Sequence, residues 1–174
     1  MHPDVGLGSL FGVGYRAHGY GSPTTPGVGE NLHVGLPTVE LAFAVAPDVE
    51  VSVSIPLGTT IGFAATGSFV WGTSVFAIWF FGGPNASLML GPGVGCDVSY
   101  LPEAAYDPRG SAASYFGADL RLTGVVGLEV LTDSRYFAFR AALRPWLTLG
   151  GGTHAFESNG GVLGELGVVG FFPS

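Results

Sequence analysis

Apolar and polar residues alternate with a period of two over long stretches of this chain. From Val49 to Phe63, Val49, Val51, Val53, Ile55, Leu57, Ile61 and Phe63 fall on one parity, while Glu50, Ser52, Ser54, Gly58 and Gly62 fall on the other. From Phe116, the run Phe116, Ala118, Leu120, Leu122, Val126, Leu128 and Val130 alternates with Asp119, Arg121, Thr123 and Glu129. Between Arg135 and Leu149, Phe137, Phe139, Ala141, Leu143, Leu147 and Leu149 oppose Arg140, Arg144 and Thr148. Successive side chains of a strand point to opposite faces, so each run predicts a strand with one greasy and one polar side.

Turn residues divide the chain into eight such segments: Val5–Tyr20, Asn31–Ala46, Val49–Ala65, Ser68–Phe81, Ala86–Tyr100, Ser114–Leu131, Arg135–Gly150 and Gly161–Phe172. Tight connections are expected at Pro47-Asp48, at Gly82-Gly83-Pro84-Asn85 and at Thr132-Asp133-Ser134, where Pro, Gly and Asp suit tight turns. Longer ones are expected at Gly21–Glu30, Leu101–Ala113 and Gly151–Gly160. Short links after every second strand, with longer ones between, are the pattern of an even-numbered antiparallel barrel. The link near Ala65–Gly67 is the exception, because it reads as short. The whole chain, residues 1–174, is expected to form a single transmembrane β-barrel domain.

Composition decides between rivals. No charged residue occurs from Val51 to Cys96, and Thr60–Phe81 is long enough to cross a bilayer as a helix. Gly62, Gly67, Gly72, Gly82 and Gly83, with the abundance of Thr, Val and aromatics, favour strands instead. Charged residues make up only 11% of the chain and lysine is absent. A soluble surface normally carries about 25–35% charged residues, lysine and glutamate among them, so much of this surface is expected not to meet water. The net charge of −7, with no basic stripe, excludes a nucleic-acid partner. Cys96 is the single cysteine and reads as a small apolar residue.

Alternation alone does not say which face is inside, and a soluble lipocalin-like barrel would put the apolar face inward. The charges decide. Arg16, Glu40, Glu50, Asp97, Asp119, Arg121, Glu129, Arg140, Arg144 and Glu165 fall in phase on the polar parity, ten of the chain's 13 acidic and 6 basic residues. Placed on a lipid face, a charge costs roughly 2–4 kcal/mol at the midplane. Placed in the lumen of an eight-stranded barrel, which side chains just fill, arginines can fork between carboxylates. The predicted architecture is therefore an all-β, eight-stranded antiparallel up-and-down transmembrane barrel with a plugged, charged lumen.

Aromatic belts at the two membrane interfaces are expected from Tyr20, Tyr100 and Tyr115 at the loop end, and from Trp79, Phe81, Tyr136, Phe171 and Phe172 at the turn end. The fourth segment breaks the pattern. Val70, Phe76, Ile78 and Phe80 share the inner parity while Phe69, Trp71, Val75 and Trp79 share the outer. Either an apolar wedge inside the lumen or a bulge shifting the phase would account for it.

These features resemble the small OmpA/OmpX-type outer-membrane barrels: eight amphipathic strands, alternate tight turns, an Arg/Glu-rich lumen and an aromatic C-terminal strand. The resemblance covers the whole chain and is architectural, without a shared motif. It implies residence in a bacterial outer membrane as a monomer, contact with membrane lipid and lipopolysaccharide, and insertion by the barrel-assembly machinery. Gly164–Phe172 looks like the terminal signal that machinery reads, although Pro173-Ser174 follow the aromatic. An exported protein needs a leader, and Met1 is followed directly by His2-Pro3-Asp4. The chain is therefore expected to be a mature segment with an added start methionine.

The expected role is structural or loop-mediated, with Glu103, Tyr106, Asp107 and Arg109 of the longest loop available to a partner. The alternatives are a lipid-modifying enzyme and a narrow pore. For an enzyme, His154 with Glu157 and Ser158, or His18 near Ser22, would have to act as base and nucleophile. Neither forms a recognisable constellation, and the His-x-Ser pattern of lipid A deacylase barrels is absent. No catalytic residue, metal site or cofactor is therefore expected.

Overall fold

In the computed structural model the described residues are 5–20, 27–57, 60–62, 69–101, 115–134, 136–150 and 158–172, with side chains described for 5–12, 38–57, 71–98, 118–134, 136–149 and 160–172. The strands are β1 (Val5–Tyr20), β2 (Gly27–Ala46), β3 (Val49–Pro56), β4 (Thr60–Gly62), β5 (Phe69–Gly82), β6 (Ala86–Leu101), β7 (Tyr115–Leu131), β8 (Phe137–Gly150) and β9 (Ser158–Phe172). All pairings are antiparallel between neighbours, and β1 pairs with both β2 and β9, which closes the sheet. Both β3 and β4 lie between β2 and β5. They form one interrupted stave, so the structure is a closed eight-stranded up-and-down barrel with no sheet edge left to pair.

The segment that could have crossed a bilayer as a helix is β4 and β5 instead, and no helix among the described residues is long and apolar enough to do so. Strand β1 has its predicted bounds. Strands β2 and β9 begin at Gly27 and Ser158, earlier than the predicted Asn31 and Gly161, so their connections are shorter than predicted. Those leading residues are Gly, Glu, Ser and Asn, which read locally as loop. Closure overrides them, because Gly27 pairs with Tyr20 and Ser158 with Leu149.

The third stave is interrupted between Pro56 and Thr60, and Phe63 lies outside the described residues. From Ser54 to Thr60 this stave takes six steps while its partner β5, from Ser74 to Val70, takes four. The excess is even, so the residues on either side of it keep the same inward and outward parity. A second irregularity lies between Leu10 and Gly12 on the β1–β2 seam. The link near Ala65–Gly67 falls outside the described residues.

Three tight turns sit where they were predicted. Pro47-Asp48 joins β2 to β3, and the Asp48 carbonyl accepts from the Phe80 amide at 2.9 Å. At the β5–β6 turn the Gly83 amide donates to the Ala86 carbonyl at 3.0 Å. Gly82 there has φ +152°, and a Cβ on it would stand 2.6 Å from the Ala86 carbonyl oxygen, so only glycine fits. At the β7–β8 turn both the amide and the hydroxyl of Thr132 donate to the Phe137 carbonyl, at 2.8 and 3.0 Å.

The two faces are cleanly sorted. Outward positions carry large apolar side chains that remain exposed, with Leu166 at 69%, Phe11 at 61% and Phe139 at 58%. Inward positions are buried and carry the charges together with a small apolar core. The apolar wedge on β5 is real and no bulge is needed. The β5–β6 register runs without a shift from Phe69 to Gly82, and Phe76, Ile78 and Phe80 pack inside with Met89, Val125 and Ala142. Gly93 makes room for the Phe76 ring, since a Cβ there would lie 2.5 Å from it.

Phe76→Ala is expected to cost about 3–5 kcal/mol, the usual penalty for truncating a buried Phe. Urea unfolding of the refolded protein would measure this, with Phe81→Ala on the outer wall as a control that costs clearly less.

Candidate functional site: the charged interior

Arg140 of β8 lies at the centre of the interior charges. Around the barrel β8 and β3 are four staves apart in either direction, so a contact between them spans the lumen. Arg140 makes that contact: its Nη1 and Nη2 donate to Glu50 of β3 at 3.0 and 2.8 Å. Its Nε donates to Glu129 of β7 at 2.7 Å, and its Nη1 also donates to Glu40 of β2. One planar guanidinium thus ties four staves, a role its rigid fork of five donors permits and a lysine ammonium does not.

Arg144, four residues further along β8 and on the same face, extends the cluster. Its Nη2 donates to the second Glu40 oxygen at 2.6 Å, and its Nε forms an ion pair with Glu165 of β9 at 2.6 Å. Glu40 is therefore shared by two arginines. Aromatic rings flank both cations: Phe80 and Phe171 lie 5.6 and 5.9 Å from the Arg140 guanidinium carbon, and Phe76 lies 4.6 Å from that of Arg144. Each ring presents its negative face to a desolvated cation. All six charged side chains are buried.

A second, smaller cluster lies towards the loop end. Arg121 of β7 forks onto Asp97 of β6, with Nε to Oδ2 at 2.9 Å and Nη2 to Oδ1 at 2.8 Å. Asp119 is buried and sits directly across the β6–β7 ladder from Asp97. The guanidinium lies 5.3 Å from the Trp146 ring centroid. Trp146 was not singled out from sequence, although it shares the parity of Arg140 and Arg144. The buried hydroxyls Ser52 and Ser54 lie on the polar parity read for that strand, whereas Thr38 and Ser74 were passed over.

Of the ten charges in phase, nine are thus inside. Arg16 pairs by backbone with Gly161 in β9, and its side chain lies outside the described set. Trp79, Phe81, Tyr136 and Phe172 are exposed on the outer wall or turn end, where the belt was expected. Phe171 is a correction: it is 4% exposed and packs inside with Ala138 and Val169. Adjacent residues of a strand face opposite ways, so Phe171 and Phe172 cannot both join a belt. The side chains of Tyr20, Tyr100 and Tyr115 are not among those described, nor are the His18/Ser22 and His154/Glu157/Ser158 groups. Among the described residues no cluster of three His, Cys, Asp or Glu side chains is arranged to hold a metal ion.

Arg140→Gln leaves three buried carboxylates facing a neutral amide and is expected to cost about 3–5 kcal/mol, the penalty of breaking a buried pair. Adding Glu50→Gln and Glu129→Gln to that variant should recover part of the loss. Urea midpoints of the single and triple variants, compared with the parent, check both statements.

No family model matches the chain, and no curated protein matches it. Several solved structures do. Neisserial surface protein A is 13% identical, with 95% of this chain and 97% of that one covered at a TM-score of 0.64. Ail, the attachment invasion locus protein of Yersinia pestis, is 17% identical over 97% and 99% of the two chains at 0.45. The N-terminal barrel domain of Pseudomonas aeruginosa OprF is 16% identical over 90% and 96% at 0.45. At such identities the likeness to the Neisserial protein is one of fold, and with the closed sheet above it gives this chain the fold of the small eight-stranded outer-membrane barrels.

Proposed function

We propose that this protein is a monomeric integral barrel of the bacterial outer membrane, non-enzymatic, with its interior plugged. The observation that carries the reading is the inverted sorting of side chains. Leu166, Phe11, Phe139 and Leu128 stand exposed on the outer wall while Arg140, Arg144, Glu40 and Glu50 are buried within. Water would penalise that wall by about 25 cal/mol per Å² of apolar surface. A bilayer removes the penalty, and a closed barrel satisfies the backbone hydrogen bonds that lipid cannot.

Plugging is supported by the filling of the cross-section. At the level of Arg140 the cation and three carboxylates span the lumen, and Phe80 and Phe171 pack against them. An ion would have to displace a buried network of paired charges, at several kcal/mol. The biological role then falls to the wall and the loops. Contact with lipid and lipopolysaccharide suits the apolar wall and the loop carrying Glu103, Tyr106, Asp107 and Arg109, which lies outside the described residues. The strand ending at Phe172 suits reading by the barrel-assembly machinery.

Refolded from denaturant into detergent, the chain should run faster on gels unheated than boiled. A monomer that stays soluble without detergent would overturn the membrane reading. Leu128→Arg on the outer wall should destabilise the vesicle-embedded barrel by about 2–4 kcal/mol if it lies near the midplane. In planar bilayers the parent protein should show no steady ohmic conductance, and lipopolysaccharide incubated with it should keep its acyl-chain mass.

A further inference from the structure

On the outer wall, a row of large apolar side chains is interrupted. The row crosses neighbouring staves through Leu88 of β6, Leu128 of β7, Ala141 of β8, Leu166 of β9 and Phe11 of β1, and its middle member is small. In the next row towards the loops, Leu143 of β8 pairs with Gly164 of β9, which leaves a second gap. Ala141 and Gly164 thus floor a groove of about 890 Å³, walled by Leu128 and Leu143 on one side and by Leu166 and Phe11 on the other. All four wall residues are exposed. The one polar residue on its border, Glu165, is buried with its carboxylate on Arg144 inside the barrel, so the groove is apolar throughout.

The register fixes the direction of the groove. The same row begins at Phe81, which pairs with Leu88 and lies one residue from the turn end of β5, and reaches Phe11, six residues from the turn end of β1. Rows therefore climb away from the turns in the order β5 to β9 and on to β1, which gives the sense of the strand tilt. From Ala141 to Gly164 the step is one strand across and two residues along. At spacings of about 4.8 and 3.3 Å it makes about 36° with the strand direction, which cancels a strand tilt of about 35–45°. The groove runs parallel to the barrel axis.

We infer that this groove seats a single acyl chain of a phospholipid from the turn-side leaflet, an inference that rests on the membrane reading above. Direction, width and depth in the bilayer select that occupant. A lipid chain lies along the axis, as the groove does. Leu128 and Leu166 stand two strand spacings apart, about 9.6 Å. Their side chains narrow that to the width of one extended hydrocarbon chain, whereas a helix is about 10–12 Å across. Twelve residues border the groove, too few for a second copy, since a stable protein interface takes about 20–30 on each side. The floor begins at Ala141, four residues from the turn end of β8. That is about 10 Å up the wall, within the turn-side half of an apolar band about 25 Å tall.

The test uses the full chain refolded in a detergent whose tail is a rigid steroid nucleus, wider than the groove. With dipalmitoyl phosphatidylethanolamine added in excess, native mass spectrometry should show one phospholipid retained per barrel, saturating at one. Ala141→Phe fills the floor and should abolish that retention, as should Gly164→Val, an independent filling from the neighbouring stave. Ala118→Phe, at another small exposed position on the outer wall of β7, should keep it. Equal retention in Ala141→Phe and Gly164→Val, or a spread of adducts with no limit at one, would overturn the inference. So would a dimer mass in the parent that Ala141→Phe removes, which would assign the groove to a second copy, or retention of lipid A where the phospholipid fails. A parent that needs detergent yet holds no phospholipid refutes the groove and leaves the membrane reading standing, while a chain soluble without detergent refutes both. Heat-dependent gel migration of each variant reports the barrel separately, so loss of the fold and loss of the groove are told apart.

Discussion

The guanidinium of Arg140 is the interaction on which the interior depends. It bridges diametrically opposed staves, and its three carboxylate partners come from strands separated from it by 11 to 100 residues in sequence. None of those contacts exists until the sheet has closed. Burying such a cluster is costly, and an apolar core of the same volume could be as stable. Its contribution is better described as specificity: four staves have one arrangement in which every glutamate meets an arginine. The aromatic rings beside both cations exclude water and strengthen these contacts by lowering the local dielectric.

The outer wall supplies the complementary constraint. With Leu, Val and Phe outward, the chain has no soluble alternative that hides its apolar surface unless the barrel turns inside out, and then the arginines and glutamates would lie in phase on a water-facing wall over a core too narrow for Leu166, Phe11 and Phe139 together. The inward β5 wedge of Phe76, Ile78 and Phe80 does not weaken this sorting. It supplies, from a stave that carries no charge of its own, rings that pack against the Arg140 and Arg144 guanidiniums. The structure thus divides its interior along the axis: buried at the turn end, polar and partly exposed around Arg121 and Trp146.

The phase of the charges was readable before any coordinates. Arg140 and Arg144 are four residues apart, Glu40 and Glu50 ten, and each shares parity with its strand's polar face, which is a local property of the backbone. The turns at Pro47-Asp48 and Thr132-Asp133-Ser134 were readable for the same reason. Phe171 was misplaced because its aromatic character was weighed above its parity, which it shares with the inward Glu165 six residues earlier. The early starts of β2 and β9 were missed because Gly27 and Ser158 have weak strand preference and extend only when a neighbouring strand supplies the ladder.

What the sequence determined by itself, then, was the set of strands, their two faces and the sign of the inside, since these follow from period-two alternation and from where charge can be afforded. Which carboxylate meets which arginine was decided by the tertiary structure, as was the two-residue excess in the β3–β4 stave. Each depends on the register between strands distant in sequence. Register is set by closure and packing of the whole barrel, and no local pattern encodes it.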